Sequence, residues 1–247
     1  MKMSKLIALF IMFTCICSCA HKSGHRQQAP MGVNSNDYNA VHGGRRNLDV
    51  AISNTRGDEN RLDGAKIFAK CNTAVFMVFT SDGYNGYQGS GFFINSDGLA
   101  VSNYHVFAGT NVGAEQIKLA SSEEIYKVAE IICRNEDEDF ILFRVNISNT
   151  NYIPVAKYKP QVGEKVYAIG SPRGLENTFS SGEVSQWRDK NLMQISALID
   201  HGSSGGALIN EYGEVVGITS GSFADGSQAN LNYAWSIDVI KPFVNYK

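Results

Sequence analysis

The sequence predicts an all-β protein built as two small barrels, and three observations carry that prediction. From Thr73 onward about a dozen short apolar runs follow one another, separated by Gly, Asn, Asp and Ser. Glycine is abundant and proline scarce, 24 against 5, as suits many tight turns. No long stretch repeats its apolar residues at helical spacing. Strands in that number bury their apolar faces most simply as barrels. At 247 residues and 43% hydrophobic content, the chain has room for one large β domain or two small ones.

Taken from the N-terminus, residues 1–19 stand apart from the fold. "MKMSKLIALFIMFTCICSCA" opens with Lys2 and Lys5, then runs apolar from Leu6 to about Cys17. That run is too short to span a bilayer comfortably and has the pattern of an export signal; a membrane anchor or buried helix is the alternative. "ICSC", Ile16 to Cys19, resembles the bacterial lipobox, in which cleavage frees a cysteine for acylation, so Cys19 is the expected lipidation site. Cys17 departs from that pattern, and cleavage after Ala20, with Ser18 two before it, is the alternative. The protein is therefore expected to be exported and lipid-anchored to a bacterial membrane, facing periplasm or exterior, or else soluble in the periplasm or medium.

Residues 20–62 are rich in Asn, Gly, Arg, Ser and Gln and have hardly any apolar pattern. Such a segment cannot bury enough surface to offset its ordering entropy, so it reads as a disordered polar tether, with His21, His25 and His42 solvated. The folded domain is expected over 63–247. "LDGAKIFAKC" reads as a short helix capped by Asp63. The strands are then "AVFMVFT", "GSGFFI", "LAVSN", "KVAEIIC", "FILFRV", "KVYAIG", "TFSSGEVSQ", "NLMQISALI", "GALIN", "EVVGITS" and "LNYAWSI". Two hairpins are explicit, one turning at Ser96-Asp97-Gly98 and one near Tyr212-Gly213. Gly83, Gly86, Gly89 and Gly91 read as a flexible hairpin loop.

Composition excludes several functions. Lys+Arg is 22 against Asp+Glu 24 with no basic block, which gives a nucleic-acid partner no electrostatic footing. Three of five cysteines lie in the signal; Cys71 and Cys133 each sit beside an apolar run, and whether they pair is open. No HExxH, P-loop, zinc spacing or GxGxxG in a βαβ setting occurs, so neither metal nor cofactor is expected. Asn146-Ile147-Ser148 fits a glycosylation sequon that a bacterial export signal leaves unused.

The chemistry concentrates in "HGSSGGALIN", residues 201–210. A serine hydroxyl becomes a nucleophile only when a base takes its proton and a third group orients that base. Outside the tether the histidines are His105 and His201. His105 follows an apolar strand, whereas His201 shares a tight loop with the serines and cannot easily reach the reacting side of the hydroxyl, so His105 is the expected base. "RNEDEDFILFRV" supplies four acids in what is otherwise a solvated turn. Asp139 alone directly precedes an apolar strand, which makes it the expected orienting carboxylate, with Asp137 the runner-up.

Four segments carry a family resemblance: "GSGFFINSDGLAVSNYHVFAG", "DFILFRV", "GSPRGLENTFSSGEVSQ" and "LMQISALIDHGSSGGALINEYGEVVGITSG". Together they resemble the trypsin-fold serine proteases, in particular the bacterial HtrA-like branch, over roughly residues 64–243. The chain order His, Asp, Ser is that of the chymotrypsin type. The resemblance implies two six-stranded antiparallel Greek-key barrels with the active site in the crevice between them. It implies His105 as general base, Asp139 as its partner and Ser204 as nucleophile, with Ser203 at the variable position. It also implies an oxyanion hole from the backbone N–H groups of Gly202 and Ser204, where one lost donor costs about 2.7–4 kcal/mol of barrier. Gly202 would let that loop adopt a conformation side chains disfavour.

The sequence departs from the family in places. Ala207 replaces a proline, and Ser196 an aspartate common in the HtrA branch. Ser203 stands where zymogen-type trypsins carry the aspartate that pairs with a newly cut N-terminus, so activation by such a cut is not expected. No PDZ domain is expected after "NYAWSIDVIKPFV", and "TSDGYNGYQGSG" is short where relatives carry a long regulatory loop. Leu198 lies where trypsins hold the acid of the pocket floor, and with Thr219, Ser220 and Gly221 it forms the expected substrate pocket. A leucine there predicts small or medium apolar P1 residues, with the "GITSG" strand pairing with substrate backbone. The expected function is a serine endopeptidase with protein or peptide substrates and a membrane partner through its lipid anchor. The alternative is a protease-like module that grips extended peptides without cutting them.

Overall fold

The computed structural model describes residues 47–247 apart from 112, 176 and 223–230. The expected signal, the expected lipidation site Cys19 and the expected tether up to residue 46 lie outside the described residues.

The described residues open with β1 (Asp49–Val50), β2 (Ile52–Ser53) and helix α1 (Gly64–Cys71). Asp63 caps α1 as expected, its side chain accepting from Lys66 N at 2.9 Å. The first barrel consists of β3 (Val75–Ser81), β4 (Gly86–Phe93), β5 (Leu99–Ser102), β6 (Gln116–Leu119), β7 (Ile125–Asn135) and β8 (Phe140–Val145), with the one-turn helix α2 (Tyr104–Phe107) after β5. It closes in the order β3-β4-β5-β8-β7-β6, all pairs antiparallel. After β9 (Val155–Ala156) come β10 (Lys165–Gly170), β11 (Thr178–Trp187), β12 (Leu192–Ile195), β13 (Ala207–Asn210), β14 (Val215–Ser222) and β15 (Asn232–Ser236). These six close a second antiparallel barrel in the order β13-β10-β11-β12-β15-β14, sealed by the β13–β14 hairpin. A 3₁₀ run over Ile237–Phe243 and β16 (Asn245–Tyr246) end the chain.

The strands most apolar in sequence are those buried on both faces. In β8, Ile141, Phe143 and Val145 fill the first barrel, while Phe140 and Leu142 point out of it into the layer between the barrels. In β10, Val166 and Ala168 fill the second barrel, and Tyr167 and Ile169 enter the same intervening layer. Alternation with period two thus sends successive side chains into two different cores, and no polar residue interrupts Phe140 to Phe143 or Val166 to Ile169. The intervening layer locks the barrels together and so holds the crevice between them.

Three features differ from the sequence reading. β6 is an extra strand: only Ile117 in it is buried, so it lacks the apolar run that marks the others. Residues 47–62, assigned to the tether, instead form a strap: β1 pairs with β16, β2 pairs with β9, and Val50 is fully buried. Their polar side chains misled the composition argument, because the strap is held largely by backbone pairing and a few apolar residues, Val50 with Leu48 and Leu62 beside the same core. Gly89 and Gly91, assigned to a flexible loop, lie inside β4. There a Cβ on Gly89 would sit 2.7 Å from Val106 Cγ1, and one on Gly91 2.5 Å from the Phe76 ring, so close packing requires both glycines.

Candidate active site

The site begins at the end of β5, where Asn103 turns the chain into α2. Thr80 Oγ1 donates to the Val106 carbonyl at 2.8 Å and fixes that turn from β3. His105, on α2, faces the start of β8, where Asp139 adopts a left-handed φ of +43°. Asn103 Nδ2 donates to the Asp139 carbonyl at 2.8 Å and holds this strained residue in place. The carboxylate then receives three donors. Oδ1 accepts from His105 N at 2.9 Å, Oδ2 lies 2.8 Å from His105 Nδ1, and Ser220 Oγ on β14 donates to Oδ2 at 2.7 Å. With Nδ1 engaged by the carboxylate, the hydrogen-bond network assigns the proton to Nδ1 and leaves Nε2 free to accept one. The Asp139 side chain is 15% exposed and that of His105 47%, so the acid is sheltered while the ring faces the crevice. Asp137 is exposed and His201 is exposed, and neither enters this network.

The loop from Asp200 to Gly206 comes from the second barrel and is fastened on both sides. Ser90 N on β4 donates to the Ser204 carbonyl at 2.8 Å, and Ser90 Oγ to the Gly202 carbonyl at 2.7 Å. Arg173 N donates to the His201 carbonyl at 2.8 Å, and the Arg173 guanidinium meets the Asp200 carboxylate at 2.8 Å. That carboxylate also accepts from His201 N at 2.7 Å, which, with Arg173 beside it, holds the Asp200 pKa below its ordinary value. Gly202 and Gly205 have φ of +93° and +87°, where side chains are strained. Among the described residues neither Gly202 N nor Ser204 N finds an acceptor, so the loop carries two uncommitted backbone donors. Ser204 Oγ lies 3.6 Å from where a Cβ on Gly221 would be, and Gly221 follows the Ser220 that contacts Asp139. The structure thus gathers His105, Asp139 and Ser204 around one stretch of β14. No hydrogen bond joins Ser204 to His105 among the described residues.

The four residues expected to form the substrate pocket divide. Leu198, 65% exposed, and Thr219 line a cavity of about 590 Å³ together with Gly170, Phe179, Ile199 and Ser203. Ser220 and Gly221 instead face Asp139 and Ser204. Ser196, the departure from the HtrA branch, joins β12 to β11, its Oγ accepting from Glu183 N at 2.9 Å.

With this geometry in hand, comparison with known proteins is direct. Residues 89–218 match the trypsin-like peptidase domain. The chain belongs to the trypsin-like peptidase family. Serine protease HTRA2, mitochondrial, from Drosophila ananassae is 29% identical over 216 residues, covering 78% of this chain and 49% of that protein. Serine protease HTRA1A from Danio rerio is 32% identical over 185 residues, covering 68% of this chain and 36% of that protein. The chain thus spans about half the length, or less, of the curated relatives it matches. Two solved structures share the fold. The serine endoprotease from Yersinia pestis superposes with a TM-score of 0.66 at 24% identity, covering 73% of this chain and 64% of that one. An HtrA-type protease AlgW with tripeptide gives 0.64 at 21% identity, covering 73% and 62%.

In this trypsin-like peptidase domain, sequence reading placed Ser220 in the substrate pocket and not against Asp139, and it gave Ser90 no part in the site. Ser220 sits in "GITSG", which reads as a pocket wall, and Ser90 in "GSGFFI", which reads as an ordinary strand. Only tertiary placement reveals that one contacts Asp139 and the other the Gly202–Ser204 loop.

Proposed function

We propose that this chain is a serine endopeptidase. Ser204 attacks the scissile carbonyl, His105 Nε2 takes the hydroxyl proton and returns it to the leaving amine, and Asp139 fixes the tautomer and stabilises the imidazolium. The N–H groups of Gly202 and Ser204 receive the oxyanion of the tetrahedral intermediate. The observation that carries this reading is the convergence on β14 of the His105–Asp139 pair and a serine loop with two unused backbone donors. Neither a metal nor a cofactor is required by these steps.

The substrates are proteins or peptides whose backbone extends β14 as an added strand. Small or medium apolar P1 residues suit the site, because Leu198 offers no charge to Lys or Arg, and the nearby Asp200 is already paired with Arg173. We place the enzyme outside the cytoplasm, anchored through a lipid on Cys19, on the strength of the signal and lipobox patterns. No helix among the described residues is long and apolar enough to cross a membrane. The test is cleavage of unfolded casein by wild type and Ser204→Ala. Wild type should cut after apolar residues and the variant should not cut at all. Equal turnover by both would remove Ser204 from the chemistry, and casein bound but never cut by wild type would mark a peptide-gripping module instead.

A further inference from the structure

The two oxyanion donors of the proposed reaction are peptide N–H groups, and a peptide N–H is aimed by whatever holds the carbonyl of the same peptide. A trans peptide is planar, with its C=O and N–H pointing in opposite directions. The Gly202 N–H shares a peptide with the His201 carbonyl, which accepts from Arg173 N at 2.8 Å. The Ser204 N–H shares a peptide with the Ser203 carbonyl, which accepts from Thr219 Oγ1 at 2.7 Å and from Gly206 N at 2.9 Å. Between them, the Gly202 carbonyl accepts from Ser90 Oγ at 2.7 Å, and the Ser204 carbonyl from Ser90 N at 2.8 Å. Every carbonyl from 201 to 204 is therefore held, while the N–H groups of Gly202 and Ser204 stay unengaged among the described residues.

Two of these holds are side-chain hydroxyls in places where hydroxyls are costly. Thr219 is 1% exposed and Ser90 fully buried. A buried hydroxyl without a partner is destabilising, so each is tolerated because it is bonded. Valine would fill the volume of Thr219 on a buried strand, yet a threonine is kept there with its hydroxyl on the Ser203 carbonyl. Ser90 goes further: its Oγ also accepts from Ser171 N at 2.9 Å, on the segment that carries Arg173. One side chain of the first barrel thus clasps both second-barrel segments that shape the oxyanion loop.

We propose that Thr219 and Ser90 are positioning residues that hold the oxyanion site assembled before substrate arrives. Thr219 aims the Ser204 N–H through the Ser203 carbonyl. Ser90 fixes the Gly202–Ser203 peptide and, through Ser171, steadies the backbone donor that holds His201. This inference rests on the serine peptidase reading.

The test uses Thr219→Val, Thr219→Ser and Ser90→Ala, a chromogenic peptide with an apolar P1 residue, and a peptidyl boronic acid whose adduct sets an oxygen in the oxyanion site. Thr219→Val should lower kcat roughly 10- to 100-fold, part of the loss seen when an oxyanion donor is removed. KM should stay within about twofold, and boronate affinity should fall by the same factor as kcat/KM, the mark of lost transition-state binding. Thr219→Ser keeps the hydroxyl and should recover most of the lost rate, and Ser90→Ala should repeat the Thr219→Val pattern. If Thr219→Val does not fold, Ser90→Ala, a smaller excision, carries the same comparison. Wild-type kcat in both Thr219→Val and Ser90→Ala would overturn the positioning role alone. So would no recovery by Thr219→Ser, or losses confined to KM. A wild-type protein that neither cleaves the peptide nor binds the boronic acid would instead overturn the peptidase reading underneath.

Discussion

Asp139 is a largely sheltered carboxylate whose charge is balanced by donors from three directions: the His105 backbone, the His105 ring and Ser220. A hydrogen bond to a charged group is worth about 1.5–3 kcal/mol, so Ser220→Ala should reduce kcat/KM about tenfold or somewhat more. Its melting temperature should fall by roughly 3–12 °C, as expected for losing one such bond, and an unchanged rate would show that Ser220 plays no part in holding the acid. Asp139 was legible because it alone among its acidic neighbours opens an apolar strand. Ser220 was not, because its partner lies 81 positions away in the chain and no local pattern announces the contact. The two thiols beyond the signal illustrate the same limit. Sequence left their pairing open, and the structure has Cys71 and Cys133 free and buried. Burial pushes their pKa up to about 11 and about 12, so both stay protonated at neutral pH. Iodoacetamide at pH 8 should modify neither in the native protein and both in denaturant; rapid native alkylation would contradict their burial.

At the scale of elements, the Asp200–Gly206 loop is pressed against the first barrel through Gly205. A Cβ there would lie 2.2 Å from the Ser90 carbonyl oxygen and 2.3 Å from Ser102 Oγ, on a backbone with φ of +87°. Gly205→Ala should therefore cost more than about 3 kcal/mol and yield little folded protein, by clash and strain together. A soluble variant melting with wild type would mean that the loop does not seat on β4 and β5 as described. Eleven of the twelve barrel strands could be read from their apolar runs, and both hairpin turns from glycines that have positive φ, Gly98 and Gly213. β6 escaped because Ile117 is its single buried residue and its neighbours give no run. The glycines of β4 escaped for a different reason. Their need is set by Phe76 and Val106 on other elements, so they look like a loop until the packing is known.

At the scale of the molecule, the strap over residues 47–62 is tied to both barrels. Asn95 Nδ2 of the first barrel donates to the Asp49 carbonyl at 3.1 Å, and β2 lies beside β9, which borders β14. The fully buried Glu214 accepts from Thr55 N at 3.1 Å and meets Arg56 at 3.4 Å, while the Arg56 guanidinium rests over the rings of Tyr158 and Tyr212. A protein beginning at residue 57 loses the Val50 anchor and two partners of a buried carboxylate, about 3 kcal/mol or more in all. Its melting temperature should drop by roughly 6–12 °C, and no drop would mean that the strap contributes nothing to the fold. Composition gave no hint of this, since a strap held by backbone hydrogen bonds needs few apolar residues. The two-barrel plan and the His105–Asp139 contact were far more legible, because core alternation, and an acid that opens an apolar strand, both constrain residue type locally.

The central claim is that Ser204, and not its neighbour Ser203, is the nucleophile that His105 activates. Mass spectrometry after reaction with a fluorophosphonate tests it most directly. The account predicts one phosphonate adduct, located on Ser204 and absent from His105→Ala and Ser204→Ala. An adduct on Ser203, or an unmodified wild-type protein that nonetheless cleaves peptides, would contradict it.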